Sequence, residues 1–483
     1  MKIPKEIKEI TEKLEKEGFQ AFVVGGSVRD ALLGKKPNDW DITTNANPEE
    51  IKKVFSNNYS NNAFGTVTVL TGSEKNHLQE VEITPYRIEE GYKDNRHPDK
   101  VKWAEKIEDD LARRDFTVNA LAYRPAKDEM IDIFKGKKDL DKKIIRAVGD
   151  PGKRFREDGL RIMRAVRFAT TLEFKIEEKT KKEIEKNKKL LKNISNERIR
   201  DELVKMVMNE NAAVGIEALR KLGLLTYIIP ELEAGYGVDQ NKHHIYDCYE
   251  HSILSLDYAA KQGYNKHVRL AALLHDIAKP IVKEGEGEEA TFYNHEVVGE
   301  RRAKEILKRL KFPGKDIKKI TKLVRYHLFY YNVDEVSESS VRRLVRNVGK
   351  ENVDDLIKVR KADRIGSGVP KAEPYKLRHL QYVIEKVSQD PISTKMLEID
   401  GKQVMDILAI SPGPKVGDIL NILLSKVLSD PDRNKEAILK KEVQELGEMD
   451  EEKLKKLAKA SRDDIEHIET KRDKMTKKKY WVT

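Results

Sequence analysis

Every stretch with the alternating pattern of a half-buried strand lies within the first 150 of the 483 residues: "AFVVGG", "DWDITT", "TVTVL", "VEITPYR" and "MIDIF". From "RFREDGLRIMRAVRFATTLEF" onward, apolar side chains recur every three or four positions, as in helices with one buried face. That division predicts an α+β chain: a small N-terminal α/β head followed by a long, almost all-helical body and tail. A chain of this length exceeds what one core supports, so several domains are expected. The loop-like stretches "PELEAGYGVDQ", "KEGEGEEATF" and "SGVPKAEPY" mark breaks near 230, 285 and 370. The expected division is 1–150, 151–230, 231–370, 371–447 and 448–483, the last being a charged helix with the basic tail "KRDKMTKKKYWVT", read as a frayed end.

Composition narrows the function classes. There is one cysteine, Cys248, so no internal disulfide can form, which fits a reducing, cytoplasmic setting. No apolar run approaches the ~20 residues of a transmembrane helix, and the first residues lack the apolar centre of a signal peptide. The 94 Lys and Arg exceed the 83 Asp and Glu, for a formal charge of +11, and this balance favours a polyanionic partner. With 37% charged residues, solvated helix faces account for the same balance.

The stretch "FVVGGSVRDALLGKKPNDWDITTN" combines several phosphate-handling features. After the strand, Gly25 and Gly26 let the backbone approach a ligand, a helix beginning near Ser27 directs free N–H groups at an anion, and Arg29 lies in its first turn. Asp39 and Asp41 are two apart, so extended backbone turns both carboxylates to one side and Trp40 and Ile42 to the core. For the pair alone, an acidic strand end at a surface is the ordinary reading. Together with Glu82 on a later strand, the set suits two Mg²⁺ ions ~3.5–4 Å apart in an in-line phosphoryl displacement; Glu82 reads equally as a surface partner of Arg87.

Two arginine-rich segments follow. "EDDLARRDFTVNALAY" holds Arg114 and Asp115, with Asn119 four residues on; a guanidinium fork matches phosphate oxygens, and a carboxylate accepts from ribose hydroxyls. "REDGLRIMRAVRFA" places Glu157, Asp158, Arg161, Arg164 and Arg167 on one helix, where an exposed ion-pair ladder is the ordinary reading. Farther on, His251, the adjacent His275 and Asp276, His295, His327 and Asp363 are spaced along helices, as in a metal site built inside a helical bundle.

The order "GGSVRD", "DWD", "RRDFTVNA", "EDGLRIMRAVRF" resembles the class II nucleotidyltransferases of the polymerase-β superfamily, which comprise CCA-adding tRNA nucleotidyltransferases and the related bacterial poly(A) polymerases. The resemblance implies a nucleotidyltransferase head in which Gly26 and Arg29 hold the triphosphate and Asp39, Asp41 and Glu82 are catalytic. Arg114, Asp115 and Asn119 would line the nucleotide pocket. Asp158 and Arg161 would pair with the base edge of CTP or ATP, with Arg164 and Arg167 holding phosphates or the helix itself. An Arg, which only donates, and a carboxylate, which only accepts, together match the mixed edge of cytosine. "RIEEGYKDNRHPDKVKWAEKIEDDL" is similar to the mobile loop these enzymes need for the final adenosine, which argues against an enzyme adding only cytidines.

The histidine set resembles the HD phosphohydrolase superfamily, whose ligands map to His251, His275, Asp276 and Asp363, with His295 and His327 as extra ligands or phosphate contacts. That implies a transition metal such as Ni²⁺ and phosphatase, 2′-nucleotidase or 2′,3′-cyclic phosphodiesterase activity for RNA-end repair. The third segment is then an HD domain, the second a nucleotide-binding neck and the fourth an RNA-binding tail. The expected activity is addition of C, C and A to tRNA 3′ ends from CTP and ATP with two Mg²⁺, in the cytoplasm, without membrane or DNA partners. Three alternatives stay open: an A-adding or poly(A)-adding enzyme, an HD phosphohydrolase whose head only binds RNA, and a non-enzymatic tRNA-binding protein.

Overall fold

The computed structural model describes residues 1–60, 65–92, 98–241, 245–388 and 392–482. The expected fold class holds: an α/β head leads into a long helical body. The chain forms two compact units, one of residues 1–328 with 354–370, the other of residues 329–353 with 371–483.

The first unit opens with the helix Lys5–Lys16, whose Ile7, Ile10 and Leu14 are buried at the three- and four-residue spacing of its sequence. A seven-stranded mixed sheet follows. Its strands are β1 (Ala21–Val24), β2 (Asp41–Thr44), β3 (Asn58–Tyr59), β4 (Val67–Leu70), β5 (Glu80–Pro85), β8 (Ala122–Arg124) and β9 (Glu129–Ile131); β6 (Arg87–Tyr92) and β7 (Pro98–Trp103) form a separate antiparallel ribbon. The sheet order is β3-β4-β5-β2-β1-β8-β9. Only β2 and β5 run parallel, with Asp41 in register with Glu82; Val24, at the end of β1, faces Asp41 on one side and Ala122 on the other. The centre of the sheet therefore gathers the glycine turn and the acids at one end.

Two sequence expectations are corrected here. The segment from Arg87 to Leu111, read as an irregular loop, consists of the β6–β7 ribbon and the helix Ile107–Ala112, with residues 93–97 outside those described. Ala104, Ile107 and Leu111 pack with Phe22, Val24, Tyr86 and Ala122, which anchors this segment to the sheet. The segment from Glu157 to Arg167 is two helices rather than one. Pro151–Glu157 ends at Asp158, whose backbone is extended (φ −143°), and Leu160–Leu172 begins after Gly159. A Cβ on Gly159 would lie 3.1 Å from Leu190 Cβ and 3.2 Å from Ile194 Cδ1, so the break is where the 3-10 helix Lys188–Asn193 crosses closely.

The remainder of the first unit is helical, including Asn196–Val207, Ala212–Lys221, Cys248–Lys261, Lys266–Leu274, His295–Arg309, Gly314–Tyr326 and Val353–Gly366. The second unit has its own core, in which Val404, Ile419, Leu423, Leu439, Val443 and Leu454 are buried between successive helices from Gly401 to the last helix, Glu451–Tyr480. That last helix corrects the frayed end: it runs to Tyr480 and closes on Trp481 in the left-handed conformation. No helix among the described residues is long and apolar enough to cross a membrane.

Candidate active site and metal centre

In the head, β1 delivers the chain to Gly25, whose φ of +73° favours glycine. A Cβ there would also come within 2.9 Å of an Arg114 guanidinium nitrogen, so the missing side chain is what admits Arg114 to the turn. Gly26 starts the helix Gly26–Leu32. Arg29 is buried on that helix, and it donates to Asn119 Oδ1 at 2.6 Å and to Asp30 at 2.8 Å. Asp39 lies just before β2 and Asp41 is its first residue; both are exposed while Trp40 and Ile42 are buried, as their alternation predicts. Glu82 is exposed beside Asp41 on the parallel neighbour.

Asp41 is open to solvent on one side and ringed by protein on the other. That partial desolvation, reinforced by the Glu82 and Asp39 carboxylates and opposed by Arg114, raises its pKa to about 6. An all-oxygen set that crowds negative charge in this way suits a hard divalent cation.

Facing these acids is a chain of hydrogen bonds that joins head to neck. Asp115 is buried and accepts from the Phe116 N–H (2.8 Å), Asn119 Nδ2 (3.1 Å) and Arg164 Nε (2.8 Å). Burial works to raise its pKa, but Arg164 and the hydrogen bonds from Asn119 and Arg164 outweigh that and lower it to about 2. With Arg29 on Asn119, the connection runs from the glycine turn through Asn119 and Asp115 to the neck helix. Phe168 adds a shared platform, with the guanidiniums of Arg29, Arg164 and Arg167 lying 5.2, 5.2 and 3.7 Å from its ring centre.

The expected base-reading residues are placed separately. Asp158 accepts the Leu160 N–H at 3.0 Å and both terminal nitrogens of Arg198, at 3.1 and 2.7 Å. Arg161 donates to Glu157 at 2.7 Å and to the Arg113 carbonyl at 2.8 Å, and Arg167 pairs with Glu202 at 2.5 Å. Sequence reasoning missed Arg198, Glu202, Phe168 and Asp110, a fully buried acid that holds Arg113 (2.7 Å) and Arg114 (3.1 Å). Asp110, three and four residues before the two arginines, was the one visible as a helical ion-pair spacing.

The second centre gathers all six sequence-predicted residues. His251 lies on Cys248–Lys261, His275 and Asp276 follow Lys266–Leu274, His295 opens its helix, His327 closes Gly314–Tyr326, and Asp363 lies on Val353–Gly366. All six are buried. Gly366 makes the assembly possible: a Cβ there would lie 2.2 Å from Ser255 Oγ and 2.8 Å from the His251 carbonyl. His251 and His275 meet at 2.8 Å through Nε2, and these nitrogens lie 3.2 and 3.3 Å from Asp276 Oδ2 and 3.4 and 3.6 Å from Asp363 Oδ1. On the other side, Asp276 Oδ1 lies 3.4 Å from His295 Nε2 and 3.5 Å from His327 Nε2.

The donor chemistry fits metal. His275, His295 and His327 each direct Nδ1 to the carbonyl three residues earlier, at 2.7–2.8 Å, which turns Nε2 inward in the manner of ligating imidazoles. Asp276 Oδ1 is buried without a hydrogen-bond donor, and Asp276 is shared by two ligand groups, one with His251 and His275, the other with His295 and His327. Burial opposes protonation of His275, yet Asp276 and Asp363 lift its pKa to about 10. Against the effect of burial, these contacts hold both carboxylates well below the usual range. Divalent cations would take the place of those protons. A cavity of about 650 Å³ opens onto the centre, lined by Lys279, Phe292, Tyr293, Arg360 and Arg364 among others.

Comparison with known proteins agrees with this geometry. Residues 21–146 match the poly(A) polymerase head domain, 173–235 the probable RNA and SrmB-binding site of polymerase A, and 248–367 the HD domain. The CCA-adding enzyme of Lactobacillus helveticus is 52% identical over 198 residues, covering 41% of this chain and 48% of that protein. That of Enterococcus faecalis is 45% identical over 240 residues, covering 49% and 58%. The chain thus spans about half the length of the curated relatives it matches. The crystal structure of Bacillus stearothermophilus CCA-adding enzyme in complex with CTP superposes with a TM-score of 0.58 at 26% identity, over 92% of this chain and 98% of that one. Thermotoga maritima CCA-adding enzyme complexed with tRNA shares the fold, with a TM-score of 0.51 at 22% identity over 91% of this chain and 94% of that one. Segment by segment, the chain is thus similar to the poly(A) polymerase head, the RNA-binding segment that follows it and the HD domain, and over about half their length to curated CCA-adding enzymes.

Proposed function

We propose that the protein adds C, C and A to tRNA 3′ ends from CTP and ATP without a nucleic-acid template, releasing pyrophosphate at each step. The observation that carries this reading is the register of Asp41 with Glu82 beside a glycine turn occupied by Arg114. Asp39, Asp41 and Glu82 would hold Mg²⁺, whose charge would supply neutralisation of the triphosphate and activation of the terminal 3′-hydroxyl. Gly26, Arg29 and Arg114 receive the triphosphate, Asp115 and Asn119 orient the sugar, and Arg29 also holds Asn119 through its hydrogen bond. Asp158 and Arg161 read the base. Their partners Arg198 and Glu157 fix them before the nucleotide arrives, so a base that mismatches leaves buried polar groups unpaired. Arg164 and Arg167 hold the neck helix against Asp115 and Glu202.

Residues 1–150 act as the catalytic head, 151–230 as the nucleotide-binding neck, 231–370 as the HD domain, 371–447 as the RNA-binding tail and 448–483 as an accessory helix of a cytoplasmic protein. In the HD centre, His251, His275, Asp276 and Asp363, joined by His295 and His327, hold a transition metal such as Ni²⁺ that would activate water against a phosphate ester. Lys279, Arg360 and Arg364 line the cavity where such a phosphate would sit, which favours 3′-end trimming, including 2′,3′-cyclic phosphodiesterase, 2′-nucleotidase and phosphatase activity. The test is incubation of the full chain with labelled CTP, ATP, Mg²⁺ and tRNA lacking its CCA end. Growth by three nucleotides supports the reading. Growth by A alone, or by a run of A, transfers the protein to the A-adding or poly(A)-adding alternative, while phosphate release without incorporation transfers it to an HD phosphohydrolase.

A further inference from the structure

The chain's excess of positive charge is not evenly spread. Residues 301–322 hold ten Lys and Arg against two acids, an excess of eight where the whole chain has eleven. They lie on the helices His295–Arg309 and Gly314–Tyr326 and the turn between them, the hairpin whose outer ends supply His295 and His327 to the metal centre. Gly299, Ala303, Ile306, Ile320 and Val324 face the core. Arg301, Lys304 and Lys308 are spaced three and four apart on the opposite face of the first helix; Lys311 in the turn and Lys315 and Lys318 on the second helix continue the row.

All six are exposed, and among the described residues no ion pair or hydrogen bond occupies any of their side chains; other side chains reach only their backbone, where the carbonyls of Lys311 and Lys318 accept from Arg200 and Thr321. The two acids cannot neutralise them. Glu305 pairs with Arg302 at 2.9 Å, and Asp316 is buried against Lys266 and His267 at 2.6 and 2.8 Å. By contrast, residues 451–470 of the last helix interleave the two signs, as in the pair of Glu451 with Lys455. Like charges at i,i+3 and i,i+4, such as Arg301 with Lys304, Lys304 with Lys308 and Lys315 with Lys318, disfavour the helices that carry them. A single-sign row maintained against its own repulsion is complementary to a polyanion with regularly spaced charges.

We infer that this face of the HD hairpin is a docking surface for the phosphate backbone of an RNA helix, holding RNA on the domain whose metal centre lies at the hairpin's ends. The inference rests on the reading of RNA as the protein's substrate. Binding here is electrostatic and independent of sequence, so it releases counterions and falls with salt.

The test uses the full chain and a fluorescently labelled RNA hairpin with a single-stranded 3′ end, followed by anisotropy from 50 to 200 mM salt. The variant K304E/K308E/K315E/K318E should bind at least about tenfold more weakly than wild type, with a dependence of log Kd on log salt shallower by roughly three to four. Lysine acetylation of the wild-type protein with and without RNA provides a readout that needs no substitution: Lys304, Lys308, Lys315 and Lys318 should be protected. Equal affinity within twofold, or no protection, overturns the inference while leaving RNA as a substrate intact. A wild-type protein that binds no RNA removes the substrate reading and the inference with it.

Discussion

The head and the HD centre present their candidate metal ligands in opposite ways. The head offers exposed carboxylates at a strand end, and among the described residues they do not form a group of three donors within 4.8 Å of one another, whereas the HD residues form two such groups. The HD centre is buried, its imidazoles turned inward by backbone carbonyls and its acids shared between them. Such a site is complete before substrate arrives and suits a resident ion. An open carboxylate set is completed by the phosphates and waters that Mg²⁺ brings with it. The difference is one of surroundings: buried imidazoles and acids pre-assembled around one point in the HD segment, and exposed carboxylates open to solvent in the head.

The sharpest way to break this contrast is to remove one acid from each site. Asp41→Asn should lower nucleotide incorporation at least about a thousandfold while the full chain retains its HD metal, measured by 3′-end extension alongside metal analysis of the same sample. Asp276→Asn, which removes the residue common to both HD ligand groups, should weaken metal retention by about a hundredfold or more. Its nucleotide incorporation should stay within twofold of wild type. Loss of both properties in either variant would mean the two centres are not independent.

A third substitution tests the connection between head and neck. Asp115 has a folded pKa near 2, below its ordinary value of 3.8, so it adds stability above about pH 4 that fades as pH falls through about 2. Asp115→Asn should therefore cost about 2 kcal/mol at neutral pH, roughly thirtyfold in the folding equilibrium, and the gap should narrow between pH 4 and pH 2 in urea melts. A gap that does not depend on pH would place the cost in lost packing. The smallest effect is expected at the base-reading residues. Arg198→Ala frees Asp158 from its bidentate partner, and discrimination of CTP against UTP should fall by about tenfold, with CTP turnover less affected.

Much of this architecture was readable from local pattern. Strands β1, β2, β4, β5 and β9, the buried Trp40 and Ile42 between outward acids, and the six HD residues all rest on spacing that secondary structure converts directly into geometry, whereas β3 and the central β8 carried no such signal. What stayed hidden depends on contacts across the fold. Arg198 reaches Asp158 from forty residues away, and Glu202 reaches Arg167 from thirty-five, on a helix whose sequence gives no sign of its neighbour. The break at Asp158 and Gly159 had a local sign in the glycine, but the close crossing of Leu190 and Ile194 that requires it is visible only in the fold. The β6–β7 ribbon escaped notice because a two-stranded ribbon outside the main sheet need not bury one face, and so lacks the alternation that marks a strand.

In the proposed reading, the head adds nucleotides and the neck dictates the order of bases. The most direct measurement is sequencing of tRNA 3′ ends after incubation of the full chain with Mg²⁺, CTP and ATP, starting from tRNA that lacks all three terminal nucleotides. The account predicts that most extended molecules end in C, C, A and grow no further. Ends that carry only A, ends with long runs of A, or unextended ends would contradict it.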